Sequence, residues 1–293
     1  MKKIHISLFA LLMMSACSPT NESSDAYGTF EADRTLVSAM ASGQLLFSAA
    51  DEGRVMPEGM LAAIVDTTDY LLQLRRLESI VTATATRIEP IDAQAEVQQQ
   101  QKENLLLDKE RVERLIPDGA ATRKQLDDIT GAIRLIEKQY LATLSQKASI
   151  QAEIKSLEIQ VQQAQEAIKK CYIHNPVQGT VLSKIAMPGE IVTFGKPVYS
   201  LANLSKLKLR VFVSGNQLAE IAIGQSVDVR VDNAEGGIKT YQGTITQIAE
   251  NAEFTPKIIQ TREERVKLVY AVIIEVENDG TLKIGMPGEV RFK

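Results

Sequence analysis

The chain of 293 residues has no tryptophan, 5% aromatic residues, two histidines and two cysteines. So few histidines and cysteines leave little from which to build Cys/His metal sites. One of the two cysteines, Cys17, lies in the N-terminal segment, so no internal disulfide framework is available. An excess of one charge is also missing. The formal net charge is -4, which gives no reason to expect nucleic acid as a partner. Long hydrophobic runs are lacking too: the one near the N-terminus, Ile4 to Met14, is too short to span a bilayer as a permanent helix. What remains is Leu, Ile, Val, Ala and Gln, a mixture that points to extended helices and small β modules.

Glycine is sparse but ordered. Gly43, Gly53 and Gly59 return as Gly179, Gly189 and Gly195 at one offset of 136 residues (43 to 179). Short β-branched runs surround both sets, so each copy reads as a few strands joined by tight turns. Met187-Pro188-Gly189 suits a type II turn, with proline setting φ and glycine accepting φ > 0. At about forty residues, neither copy can bury much core alone; two facing copies can.

Between the copies, from about Thr67 to Tyr172, the text is rich in Gln, Glu, Lys, Leu and Ala and interrupted in the middle by Pro117-Asp118-Gly119. Two equal helices running out and back would form an antiparallel hairpin reaching on the order of 70 Å at ~1.5 Å per residue. The second helix carries a heptad seam: Leu126, Ile133, Tyr140, Lys147, Ile154, Val161 and Ile168 alternate with Ile129, Ile136, Thr143, Ile150, Leu157, Ala164 and Cys171. The first is less regular. Leu74, Val81 and Ile88 fit a seam, Gln98 to Lys102 is polar, and a break is expected near Glu89-Pro90. After Leu204, strands are expected over 207–213, 226–231, 240–248, 266–276 and 289–292, enough for a small closed barrel.

The N-terminus is an address. Lys2 and Lys3 precede the apolar run, which ends in Met14-Ser15-Ala16-Cys17. Small residues before a cysteine resemble a bacterial lipobox, in which the cysteine is acylated and becomes residue one. An ordinary signal peptide with an incidental cysteine is the other reading. The expected division is a signal peptide at 1–16, a lipid-linked tether at 17–27 and a first lipoyl-like half at 28–66. A helical hairpin at 67–172, a second half at 173–203 and a β-barrel at 204–293 follow.

This order of parts resembles the HlyD-type membrane fusion proteins. Asp66-Thr-Thr-Asp-Tyr70 entering the first helix and Asn175-Pro-Val-Gln-Gly-Thr-Val181 leaving the second are similar to that family. So are Ala252-Glu-Phe-Thr-Pro-Lys257 and Gln260-Thr-Arg-Glu-Glu-Arg265 in the barrel. The resemblance implies an α+β, elongated fold: a long antiparallel coiled-coil α-hairpin inserted in a split lipoyl-like (barrel-sandwich hybrid) domain, then a small antiparallel β-barrel. It implies a periplasmic adaptor, lipid-anchored to the inner membrane, that joins an inner-membrane transporter to a TolC-type outer-membrane channel. Family members stack into homo-oligomeric rings, often six-fold. Only about ten residues separate Cys17 from the first half and the chain stops with the barrel, a plan that looks more like adaptors of ABC-type exporters than those of proton-driven pumps.

At the hairpin tip the family carries Arg, then Leu four later, then Ser seven after that. Arg111, Leu115 and Thr122 stand at this spacing, which implies a channel-docking role. The same residues have a structural account: Thr122 and Gln125 as a capping box, Leu115 as seam, Arg111 paired with Asp108. Other features read as structure. Cys171 is a buried thiol, His174 packing or surface, and Asn233 to Gly237 a hairpin turn without the Lys-Ser/Thr of a phosphate loop. No lysine is presented for a swinging-arm cofactor. No cofactor and no enzyme are expected; a purely structural coiled-coil lipoprotein of the envelope is the alternative.

Overall fold

The glycine repeat becomes a repeat of strands. In a computed structural model that describes residues 24–233, 236–254 and 268–292, the first copy forms β2 (Arg34–Ser38), β3 (Gly43–Ser48), β4 (Val55–Met56) and β5 (Leu61–Val65). The second forms β6 (Tyr172–His174), β7 (Gly179–Lys184), β8 (Ile191–Val192) and β9 (Pro197–Ala202). Shifting β3 and β4 by the repeat offset reproduces the bounds of β7 and β8 residue for residue. Paired glycines do the same work. Gly43 and Gly179 open strands where a Cβ would run into the next strand, at Val65 in one copy and at Leu201 and Ala202 in the other. Gly53, Gly59, Gly189 and Gly195 turn the chain at φ between +77° and +96°, a region open to glycine and costly for other residues.

The copies interlock. One sheet runs β2-β9-β7-β4 and the other β6-β5-β3-β8, each with its inner pair from one copy and its outer strands from the other. Every neighbouring pair is antiparallel. Leu45, Met56, Val65, Ile173, Val181, Tyr199 and Leu201 fill the space between the sheets, fully buried. Each large apolar side chain so buried contributes about 1.5–3 kcal/mol. One amide ties the copies together. Buried Asn175 donates from Nδ2 to the carbonyls of Met56, Pro57 and Val177 and accepts from Tyr199 Oη at 3.0 Å. Burial pushes the Tyr199 hydroxyl up to about 12, so it stays a donor across the ordinary pH range.

Between β5 and β6 the chain makes α1 (Thr68–Ala85), α2 (Ile88–Leu115) and α3 (Arg123–Lys169). Both α1 and α2 pack along α3. Three ion pairs cross between the strands of this arm: Arg87–Glu153 at 3.1 Å, Lys147–Asp92 at 2.6 Å and Lys102–Glu137 at 2.9 Å. Numbers rise on one side as they fall on the other, so the two sides run antiparallel. The outward side is broken at Thr86-Arg87, three residues before the break expected at Glu89-Pro90. Pro90 explains the shift. Its ring crowds the carbonyl four residues earlier, that of Thr86, and offers it no N–H; Pro90 itself lies in the first turn of α2, where no donor is needed.

Burial follows the heptads. From 140 to 164 the only residues of α3 that are not exposed are 140, 143, 147, 150, 154, 157, 161 and 164. On the outward side, from 74 to 102, the covered residues are Leu74, Leu77, Val81, Thr84, Ile88, Ile91, Ala95, Gln98 and Lys102, with Asp92 beside them. Their spacing of three and four runs through the break unchanged. No helix among the described residues is long and apolar enough to cross a membrane.

The last part is a barrel of β10 (Lys206–Ser214), β11 (Ser226–Asp232), β12 (Ile238–Ile248), β14 (Leu268–Glu277) and β15 (Pro287–Arg291), closed by β1 (Ala26–Glu31). The order is β10-β1-β15-β11-β12-β14, with β14 pairing back onto β10 and the short β13 (Glu253–Phe254) extending β14. A four-residue helix, α4 (Gly215–Leu218), follows β10. This corrects the domain boundary expected at residue 28 and shortens the tether expected over 17–27. Residues 26–31 are barrel, and the first half of the paired sheets begins at β2. Ala26 and Phe30 are buried in the barrel core, and Gly28 lies so close to the carbonyl of Arg210 that no Cβ fits. Five strands without β1 would leave β10 and β15 as open edges.

Candidate functional site

The arm narrows to a turn at the end farthest from the sheets. Helix α2 closes with Gly119 at φ +74°, Gly119 N–H bonded to the Ile116 carbonyl (3.0 Å) and Ala120 N–H to the Leu115 carbonyl (3.1 Å). That pair of bonds around a left-handed glycine is a Schellman cap. Helix α3 opens with a capping box: Gln125 N–H donates to Thr122 Oγ1, and Thr122 N–H and Oγ1–H donate to Gln125 Oε1 at 2.7 and 3.0 Å. Both helix ends are therefore satisfied without help from a partner.

Against this frame, the three residues singled out at the tip have different freedom. Arg111 is exposed and donates from Nη1 to Asp108 at 2.8 Å, one turn earlier on the same helix. Leu115 is 39% exposed. It lies off the seam, which passes through Val112 and Ile116, and this corrects the structural account that placed it there. Thr122 has committed its proton to Gln125. Arg111 and Leu115, four apart, share one face of α2, while Thr122 stands across the turn at the start of α3. The tip thus offers an apolar knob beside a guanidinium with donors to spare.

The remaining candidates sit elsewhere. Cys17 lies outside the described residues, as does most of the two barrel stretches that resemble the fusion proteins, from Thr255 to Arg265. Cys171 is buried just past α3, its Sγ 3.5 Å from the Ala167 carbonyl, and burial pushes its thiol up. His174 is exposed on β6, with Nδ1 at 3.1 Å from the Tyr172 carbonyl. Asn233 and Gly237 bond across the β11–β12 connection. Among the described residues no three His, Cys, Asp or Glu side chains group as a metal site.

One surface was not anticipated from sequence. In the second copy Met187, Ile191 and Phe194 are 50%, 74% and 76% exposed. Their counterparts in the first copy, one offset back, are Asp51, Val55 and Glu58. Setting the copies against each other would have found it, because two acidic positions flanking β4 in the first copy are apolar where they flank β8 in the second.

No protein-family model matches the chain. A UPF0194 membrane protein of Yersinia enterocolitica is 36% identical over 119 residues, a match that spans 40% of this chain and 36% of that protein. Another, from Yersinia pseudotuberculosis, is 25% identical over 91% of this chain and 88% of its own length. Among solved structures, MacA from Actinobacillus actinomycetemcomitans superposes with a TM-score of 0.59 at 21% identity, covering 90% of this chain and 76% of that one. The membrane fusion protein Spr0693 from Streptococcus pneumoniae gives 0.56 at 13%, covering 91% and 97%. The fold is similar to those of these two proteins.

Proposed function

We propose that the chain is a periplasmic adaptor of a bacterial export system. It is held to the inner membrane by a lipid on Cys17 and links an inner-membrane transporter, of ABC type, to a TolC-type outer-membrane channel. On this reading the arm is an antiparallel coiled-coil hairpin, and the paired sheets are a split lipoyl-like domain of the barrel-sandwich kind. Copies stand side by side in a ring, with the apolar turn of Met187, Ile191 and Phe194 against a neighbour. The observation that carries the reading is the tip. A turn capped at both helix ends, with an exposed leucine and arginine on one face, has no structural need of either side chain. A central apolar anchor with charge-assisted bonds beside it is what a small interface depends on.

Leu115→Ser and Arg111→Asp are expected to abolish export, measured as substrate released outside the cell, with the melting temperature unchanged. Normal export by both variants would make the tip a mere turn. Anchoring is tested apart from docking. Cys17→Ser is expected to move the protein from the membrane to the soluble periplasmic fraction; an unmodified Cys17 thiol in the mature wild-type protein, seen by mass spectrometry, would remove the lipid from the scheme.

A further inference from the structure

The seam of the arm changes character along its length. Near the sheets it is mainly apolar, with Leu74, Leu77, Val81, Ile88 and Ile91 beside buried Thr84 on one side and Ile150, Ile154, Leu157 and Val161 on the other. Near the tip apolar residues return, with Leu105, Val112 and Ile116, among which Asp108 and Lys109 are also covered, facing the side of Leu126, Ile129, Ile133 and Ile136. Between Ile91 and Leu105, and between Ile136 and Ile150, the covered apolar residues are Ala95 and Tyr140 alone. The other covered places are held by Asp92, Gln98, Lys102, Glu137, Thr143 and Lys147. This stretch is about 20 Å long at ~1.5 Å per residue.

Its bonds are of the weaker kinds. Lys102–Glu137 and Lys147–Asp92 join the two sides, but the lysines keep 30% of their side-chain surface and the acids just over 40%. Pairs that wet are screened and contribute little. Thr143 is buried, yet its hydroxyl donates within its own helix, to the Gln139 carbonyl at 3.1 Å. Gln98 is 9% exposed, and its Oε1 is buried with no hydrogen-bond partner. An orphaned acceptor in a covered place opposes closure of the two sides. The helix break at Thr86-Arg87 lies about one turn to the sheet side of this stretch. Before it, Ser79 and Thr82 return their hydroxyls to the carbonyls four residues back, and Thr86 to the one three back, bonds that bend a helix.

We propose that the middle of the arm, residues 92–104 with 137–149, is a compliant joint. Its two sides part there more readily than at the sheet-side seam or at the tip, and the tip section tilts about it as a unit. Local opening is easiest where few apolar contacts are buried, and here a poor stretch is bracketed by two rich ones. Two cross-arm ion pairs, Lys102–Glu137 and Lys147–Asp92, fall within the joint; partly exposed to water, they align the two sides without stiffening them.

Hydrogen exchange on the full chain, followed by peptide mass spectrometry, tests this directly. A plain hairpin rooted at one end loses protection steadily toward its tip. The joint requires a dip: peptides covering 92–104 and 137–148 exchange faster than those covering 74–84, and also faster than 126–136 nearer the tip. A steady decline with no recovery toward the tip overturns the proposal. Gln98→Leu removes the orphaned acceptor and adds an apolar seam residue. It is expected to slow exchange of both middle peptides at least tenfold and leave 126–136 as it was. The arm's melting temperature should rise by about 2–4 °C. If Gln98→Leu leaves the middle peptides unchanged, or lowers the melting temperature, the polar seam is not what opens, and the proposal fails.

Discussion

The paired sheets and the helical arm are joined within three residues of each other, at β5 and α1, yet they are held by different means. Between the sheets the large side chains are fully buried, and the one buried amide, Asn175, has every partner it needs. In the arm most seam residues are only half covered, and its buried amide, Gln98, keeps an acceptor unpaired. The difference has a geometrical cause. Two facing sheets exclude water from a whole layer, whereas two helices exclude it from one narrow stripe. A layer punishes any unpaired polar group, so what the sheets bury is paired: Ser200 with Ser183 Oγ, and the amide device of Asn175 with Tyr199 and three carbonyls. A stripe tolerates lysine, glutamate and glutamine because their ends reach water. Rigidity at the root and compliance in the reach follow from the same sequence.

Breaking the satisfied device should therefore have the largest effect. Asn175→Ala strands the Tyr199 hydroxyl and removes the donor to the carbonyls of Met56, Pro57 and Val177. With several buried groups left unpaired, the expected loss is about 2–4 kcal/mol. Denaturant unfolding followed by near-ultraviolet tyrosine dichroism would read it, since the chain has no tryptophan and Tyr199 is fully buried between the sheets. A loss under about 1 kcal/mol, no more than one ordinary hydrogen bond, would mean that the two copies are held by apolar contact alone and that the contrast with the arm is one of degree.

How much of this was legible varies with the physics of each part. The paired sheets were readable from six glycines, because positive φ and close strand approach are demands that few other residues meet; the spacing of the demands is then the spacing of the strands. The seam of α3 was readable because Ile133, Ile136 and Ile150 repeat over many turns. That of the outward side was harder, since Thr84, Gln98 and Lys102 occupy covered places and only Leu74, Val81 and Ile88 announce them. Strand β1 was missed. Tyr27, Gly28 and Thr29 carry no strong alternation, and the partners that make Ala26 and Phe30 core residues, on β10 and β15, lie about 180 and 260 residues away. Long-range closure of that kind leaves little local trace. The tip was legible as a cap from Thr122 and Gln125 alone. That Leu115 points away from the seam could be settled only when the neighbouring residues Val112 and Ile116 were seen to fill it.

The smallest effect expected is also the cleanest separation of the two regions. Thr122→Ala removes the oxygen that accepts Gln125 N–H at the start of α3 and releases Gln125 Oε1 from one of its two bonds there. Loss of such a cap costs about 1 kcal/mol. Because the arm is stabilised stretch by stretch and touches the sheets only at its root, that loss should stay local. Exchange of the amides of 123–126 is expected to quicken about fivefold, the factor that 1 kcal/mol represents, while the tyrosine-detected unfolding of the sheets keeps its midpoint. Thr122→Ser, which retains the acceptor, should change neither. If Thr122→Ala instead shifts the unfolding of the sheets by the full amount, tip and root unfold as one cooperative unit. The arm would then be no softer than the sheets that carry it.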